Sequence, residues 1–325
     1  MKRKFNAWLW AAVMGILVPG LMFGVADKLI GRSGQISSAQ EQTTQGTFPS
    51  NGTIERVIVL RNGDLMLMDM DAYVAGVLLA EMPAGFHQEA LKSQAVVART
   101  YALKTNTVGL KHPNRAVCTE SSCCQGYNTV ADYISRGGTE EAVAKVCSAV
   151  AATTGQVLTY QGTLIEATYF SCSGGRTEDA LAVWGTDIPY LQSVDSPGEE
   201  KATHYADMLQ FTATEFAGRL GIEPSGKLSS WLGPVTYTDG GGVDTMEICG
   251  KNYRGTELRS LLGLRSTAFA ILPIGDTLYI SSRGFGHRVG MSQYGAEAMA
   301  VAGSNYHQIL SHYYTGAIIS VYPRN

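Results

Sequence analysis

The sequence predicts an α+β fold, mixed helices and antiparallel strands around a cleft, preceded by one N-terminal transmembrane helix. Three observations predict it. Apolar residues recur at four-residue spacing in some segments and in short strand-like runs in others, without a regular strand–helix–strand order. No internal repeat of solenoid length is present. Phe5 to Val25 is a run of 21 residues without a charge, long enough to span a bilayer. With 325 residues, 45% of them hydrophobic, the chain can bury one large core or two modest ones.

Lys2-Arg3-Lys4 precedes the apolar run, and basic residues on that side keep the amino terminus in the cytoplasm. A cleaved signal peptide, with Gly24-Val25-Ala26 as a weak processing site, is the competing reading. Both export the remainder of the chain. Residues 1–26 are therefore assigned to a cytoplasmic stub and membrane anchor. Residues 27–53, rich in Ser, Gln, Gly and Thr, form a flexible tether, and 54–325 form the exported domain. A net charge of −3 with no basic stripe excludes a nucleic-acid binder.

Within the exported part, Glu55–Leu60 and Asp64–Met68 predict a hairpin around Arg61-Asn62-Gly63. A helix comes next with Asp71 as its cap; Tyr73, Val77 and Glu81 share one face, and Pro83 ends it. A second helix is expected over residues 88–104, then an irregular cysteine-rich stretch over 109–128, then a helix over Thr139–Ala152. Gln156–Tyr160 and Thr163–Ser171 predict another hairpin, followed by loops to His204 and a capped helix over Thr212–Leu220. Strands at Val235–Thr238, Val243–Cys249, Ala268–Leu272 and Thr277–Ser281 surround a short helix at Thr256–Leu262. Helices at Met291–Ala302 and Asn305–Tyr313 close the chain.

The chemistry centres on Leu78-Leu79-Ala80-Glu81-Met82-Pro83. Apolar neighbours and the negative end of the helix dipole both disfavour an ionised Glu81, which raises its pKa. A carboxylic acid that holds its proton near neutrality is what a general acid requires; the alternative is a surface glutamate at a turn. Arg99 interrupts an apolar run and needs an anionic or carbonyl partner. An internal salt bridge would supply one; the favoured expectation is that Arg99 faces the cleft near Glu81.

His112, Cys118, Cys123 and Cys124 fall within 13 residues of irregular chain. Thiolates and an imidazole in a loop without its own core suit a tetrahedral structural zinc. Disulfides with Cys147, Cys172 or Cys249 are the alternative for an exported chain. Two further segments, Phe170 to Arg176 and Phe285 to Gly295, combine glycines with small polar residues. They make Ser171, Ser173, Gly174, His287, Gln293 and Tyr294 candidates for sugar contacts, against ordinary turns and a satisfied structural histidine. No serine-hydrolase elbow, H-E-x-x-H, Walker loop or dinucleotide fingerprint occurs.

Ala80 to Pro83, Gln94 to Ala102, Cys123 to Tyr127, Tyr169 to Gly175, Val194 to Pro197 and Gly284 to Ala296 occur in that order. The ordered set resembles the stage II sporulation protein D / LytB-domain family, over roughly residues 53 to 322. The resemblance implies a lytic transglycosylase that cuts the glycan strands of bacterial peptidoglycan, held in a substrate cleft, during engulfment of the forespore. It implies Glu81 as the catalytic acid/base, Arg99 near the cleft, and zinc on His112, Cys118 and Cys124. Family members often have His where this chain has Cys123, and Thr or a similar small residue where it has Cys172. Also implied are a single-pass position in the mother-cell membrane facing the forespore, and work alongside a cell-wall amidase and a membrane anchor protein. The rival expectation is a non-catalytic glycan-binding module that recruits or stimulates an amidase. Because no second acid is placed as well as Glu81, a two-carboxylate hydrolase is disfavoured.

Overall fold

The computed structural model describes residues 55–223 and 226–322. The anchor and tether assigned to residues 1–53 lie outside the described residues. Among the described residues no helix is long and apolar enough to cross a membrane.

The chain begins with a hairpin of β1 (Arg56–Arg61) and β2 (Asp64–Asp69), in register from Arg56 opposite Asp69 to Arg61 opposite Asp64. Asn62 and Gly63 turn it with φ of 53° and 90°, the two left-handed residues that a tight hairpin needs. Helix α1 (Met70–Glu81) comes directly after. Its cap is Asp69, whose side chain accepts from Ala72 N at 2.9 Å. The predicted cap Asp71 lies inside the first turn instead, where it pairs with a residue of the next helix. Tyr73 to Leu79 are all buried, so α1 is enclosed on every side. It stops where Pro83 requires, with Met82 extended at φ −132°.

Helix α2 (Gln88–Val108) is the axis of the first core and packs against α1, against α4 (Glu140–Ala151), and against the two C-terminal helices. Between α2 and α4 lie the cysteine-rich stretch with β3 (Val117–Cys118), parallel to β1, and α3 (Val130–Ser135), capped reciprocally by Thr129 and Asp132. The short α3 has no buried residue and therefore no apolar period to announce it. Strand β4 (Gln156–Tyr160) pairs with β5 (Thr163–Leu164), which is much shorter than expected because the chain leaves the hairpin after Leu164. Tyr169–Phe170 (β6) runs parallel to Met291–Ser292, far along the chain, and α5 (Ala180–Trp184) interrupts the loops after β6.

A second core gathers residues 209–280. Strand β7 (Ala206–Thr212) leads into α6 (Ala213–Leu220), capped by Thr212 with Glu215 as predicted. Strands β8 (Leu232–Tyr237), β9 (Val243–Ile248) and β10 (Lys251–Arg254) form one antiparallel sheet, followed by α7 (Gly255–Leu262). Strands β11 (Ala268–Ile274) and β12 (Thr277–Arg283) form another with β7, in the order β11-β12-β7. The chain then returns to the first core through β13 (Met291–Ser292), helices α8 (Gln293–Val301) and α9 (Tyr306–Tyr313), and β14 (Ile318–Val321), antiparallel to β4. The architecture is a mixed helix-and-strand fold whose larger sheets are antiparallel apart from the β1–β3 pair. All six cysteines are free, so the disulfide alternative does not hold.

Candidate functional site

Glu81 is the last residue of α1, half-buried, at the point where the helix gives way to the Pro83 turn. Burial raises its pKa above the ordinary carboxylate value, opposed by one hydrogen bond from the Gly126 amide. Among the described residues neither Arg99 nor another carboxylate contributes to that shift. Glycine at 126 permits this approach, because a Cβ there would come within 2.7 Å of Glu81 Oε1 and push the carboxyl aside.

A network of aromatic and amide groups surrounds the carboxyl. Tyr73, two turns back on the same face of α1, donates its hydroxyl to Gln125 Oε1 at 3.2 Å. Gln125, fully buried, donates in turn to the Tyr169 hydroxyl at 3.3 Å. Burial pushes both phenols well above their usual range, and the charge of Glu81 adds to both shifts. Tyr127 stacks on Tyr73 with ring centroids 5.8 Å apart. Sequence spacing puts Tyr73 on the Glu81 face and the others inside recognised segments, yet it assigns none of them a role; only the fold brings positions 73, 125 and 169 together.

Gly126 is delivered by the cysteine-rich loop. His112, Cys118, Cys123 and Cys124 converge so that one ligand atom from each lies within 4.8 Å of all the others, and His112 Nε2 is 3.2 Å from Cys123 Sγ. Burial pushes the Cys118 thiol up to about 12, and the neighbouring sulfurs of Cys123 and Cys124 add to the shift. Three thiols and an imidazole crowded in this way fit a soft divalent cation, which would hold Cys118 as the thiolate that burial alone disfavours. Cys124 is two residues from Gly126, so the same loop carries the cluster and the amide that meets Glu81.

Arg99 takes a different place from the one expected. It is fully buried, and its guanidinium donates to Asp71 Oδ1 at 2.8 Å and to the Gln156 carbonyl at 3.2 Å. Thr154 donates to the other Asp71 oxygen at 2.6 Å. Asp71 and Glu81 stand ten residues apart on one helix, roughly 15 Å along its axis. Arg99 is an internal ion-pair residue, and the cleft-facing role does not hold.

The second group of expected contacts is largely an internal junction. Ser173 is fully buried and donates through its amide and hydroxyl to Glu199 Oε2, at 2.8 and 2.7 Å. Gly174 N donates to the same oxygen at 2.8 Å, while Ser196 at 2.8 Å and Ser292 donate to Oε1. A Cβ at Gly174, whose φ is +81°, would sit 2.9 Å from the Arg283 carbonyl carbon, so its close approach is to the protein's own backbone. The Ser171 carbonyl accepts from Tyr294 N at 3.0 Å. His287 lies between Phe170 and Trp184, accepts from Val289 N on Nδ1 at 3.1 Å, and also bonds the Tyr169 backbone. Desolvation, reinforced by Arg259, pushes His287 down to about 4, which keeps it neutral. Ser173, Gly174 and His287 thus spend these hydrogen bonds on the protein itself. Gln293 is buried with an unpartnered amide nitrogen. Tyr294 meets Phe86 edge-on at 5.0 Å, which places it against the turn that comes after Glu81.

The family described as "SpoIID: Stage II sporulation protein" matches residues 63–160, a span containing Glu81, Arg99 and the four-residue cluster. Stage II sporulation protein D of Bacillus subtilis (strain 168) is 42% identical over 256 residues, 77% of this chain and 74% of that protein. Its counterpart from Bacillus amyloliquefaciens is 40% identical over the same shares. A more distant likeness, 28% over 307 residues, covers 76% of this chain and 40% of a Bacillus subtilis protein named amidase enhancer.

Proposed function

The chain belongs to the stage II sporulation protein D family, and from that premise we propose that it is a peptidoglycan lytic transglycosylase of sporulation, with Glu81 as sole acid/base. The observation that carries the reading is Glu81 itself: a half-buried carboxyl with a raised pKa, one amide donor and, among the described residues, no second carboxylate acting on it. Protonated Glu81 donates to the glycosidic oxygen as the bond on the N-acetylmuramic acid side breaks. The resulting glutamate accepts the proton of that sugar's C6 hydroxyl, whose oxygen closes on the anomeric carbon. The products are a 1,6-anhydro end and a new free 4-hydroxyl, with no water consumed. As the anion forms, the Gly126 amide stabilises it, and the buried Tyr73–Gln125–Tyr169 network holds the surrounding groups in place.

In the same proposal His112, Cys118, Cys123 and Cys124 hold a structural zinc ion. When bound, it would neutralise the thiolates and cross-link a loop that lacks a core of its own. A single-pass membrane location, an extracytoplasmic domain, a cell-wall amidase and a membrane anchor protein as partners complete the reading.

The test is to incubate the full-length protein with peptide-stripped glycan strands and analyse the products by mass spectrometry. Anhydro ends are expected from the native chain and none from Glu81→Gln. Reducing ends in their place would mean hydrolysis, and normal anhydro release by a folded Glu81→Gln chain would sink the assignment. The likeness to a protein named amidase enhancer favours a second reading, a glycan-binding module that stimulates an amidase without cutting. Under it, Glu81→Ala weakens glycan binding and no anhydro ends form at all.

A further inference from the structure

The proposed mechanism leaves unused two arginines, Arg61 and Arg136, which pack on Tyr127 and Asn128 in the segment that follows Gly126. Arg61 ends β1 on the face shared with the buried Val57 and Val59. Its guanidinium lies 5.3 Å from the centroid of the Tyr127 ring, the ring that stacks on Tyr73 and comes after Gly126 in sequence. Arg136 donates to Asn128 Oδ1 at 3.1 Å, and Asn128 Nδ2 donates to the Leu79 carbonyl at 3.1 Å. Asn128 N bonds the Gly76 carbonyl at 3.0 Å. Arg136 is thus tied to the last turns of α1, through a carbonyl two residues from Glu81.

One carboxylate faces both arginines. Asp132, 46% exposed, approaches Arg61 at 3.4 Å, a long contact for a guanidinium pair. Asp64 stands across the hairpin from Arg61 in register and forms no ion pair among the described residues. Each guanidinium carries five N–H donors, and Arg61 and Arg136 each make one side-chain hydrogen bond among the described residues. Asp132 and Asp64 balance the two cations in charge, but only one of their oxygens bonds a guanidinium, so most of the arginine donors stay free for a ligand on this edge.

We propose that Arg61 and Arg136 form a carboxylate-binding subsite that grips the glycan strand next to the bond presented to Glu81. The proposal rests on the peptidoglycan reading and adds to it a determinant of specificity. A planar guanidinium fork matches a carboxylate, and a ring stacked beneath it holds it in place. N-acetylmuramic acid offers a carboxylate on its lactyl group once the stem peptide is gone, and peptide-bearing strands offer carboxylates of the stem. N-acetylglucosamine offers none.

The experiment measures equilibrium binding to the full-length chain carrying Glu81→Gln, so that nothing is cut. The ligands are peptide-stripped glycan, peptide-bearing glycan and N-acetylglucosamine oligomers of equal length. A carboxylated strand should bind about tenfold or more tightly than the neutral oligomer, with the preference shrinking at high salt. Arg61→Gln combined with Arg136→Gln should erase that preference and leave the neutral oligomer's affinity as it was. Asp132→Asn, which removes the competing anion, should enlarge it. Preference for stripped strands assigns the lactyl carboxylate; preference for peptide-bearing strands assigns the stem. Equal affinity for neutral and carboxylated strands in the Glu81→Gln parent overturns the proposal, as does a double variant that keeps the preference or loses both ligands alike. Anhydro release is scored separately on chains with Glu81 intact, so failure of the lyase reading and failure of the subsite are told apart.

Discussion

The Arg99 guanidinium is bound to Asp71, at the opposite end of α1 from Glu81. That single pairing removes the strongest objection to a protonated Glu81, since a cation beside the carboxyl would have stabilised its anion. It also makes Arg99 a matter of folding. Breaking a buried ion pair strands the surviving charge, so Asp71→Asn should lower stability by about 3–5 kcal/mol. Urea denaturation of the two proteins checks this, and a change under about 1 kcal/mol would refute it.

The pH dependence of Glu81 runs in two directions that can be measured separately. The proposed lytic mechanism needs the protonated form, so under it kcat/KM should fall as pH climbs through the raised pKa. Stability follows proton binding. The unfolded glutamate ionises near 4.5, whereas the folded one keeps its proton to higher pH. The native state therefore loses stability as pH rises between the two values, and the deficit persists above them. Glu81→Gln carries no such deficit. It should be more stable than the native sequence at about pH 7 to 8, with the difference vanishing as pH falls below about 4.5. A difference that stays constant across this range would show that burial does not shift the group.

Ser173→Ala separates the internal junction from a sugar-binding surface. Ser173 makes two of the hydrogen bonds to the buried Glu199 carboxylate. Losing the hydroxyl should destabilise the fold by about 1–3 kcal/mol, while the folded variant binds glycan as the native chain does. Melting curves alongside binding isotherms decide it; weakened binding with intact stability would return Ser173 to the cleft.

Much of the fold was legible because its signals are local. Asn62-Gly63 specifies a hairpin, Pro83 specifies a helix end, and Thr212 with Glu215 specifies a cap. Glu81 and the four metal-binding candidates could be read for the same reason, since each sits in one short stretch. What failed was non-local. Whether Arg99 meets Glu81 or Asp71 depends on how α1 lies against α2. Whether Ser173 and Gly174 face a ligand or Glu199 depends on a loop 26 residues on. Strand β7 lies at a sheet edge with only Phe211 buried, so its sequence carries no buried apolar face to mark it, whereas β9 buries Val243, Met246 and Ile248.

Removal of the proposed metal should act on stability first. Chelation, or Cys118→Ser, takes away the proposed cross-link of the 112–124 loop and leaves crowded thiols behind. A substantial fall in melting temperature is expected, together with lost anhydro release, because this loop carries Gly126 to Glu81. Elemental analysis of the purified protein supplies the metal content. A zinc-free protein with an unchanged melting temperature would remove the ion from the fold.

Gly76→Ala tests how tightly the aromatic stack is built. In an ordinary helix interior this change stabilises, by about 0.5–1 kcal/mol, because glycine is the poorer helix former. Here the new Cβ would come within 2.2 Å of the Tyr127 ring, which is held by Tyr73 and Arg61 and cannot swing aside freely. Overpacking should win, with a net loss of about 1–3 kcal/mol. Combining it with Tyr127→Leu removes the ring that is struck, so the double variant should lose less than the sum of the two single losses. Denaturant midpoints of all four proteins complete the cycle, and strict additivity would mean that Tyr127 moves away at little cost.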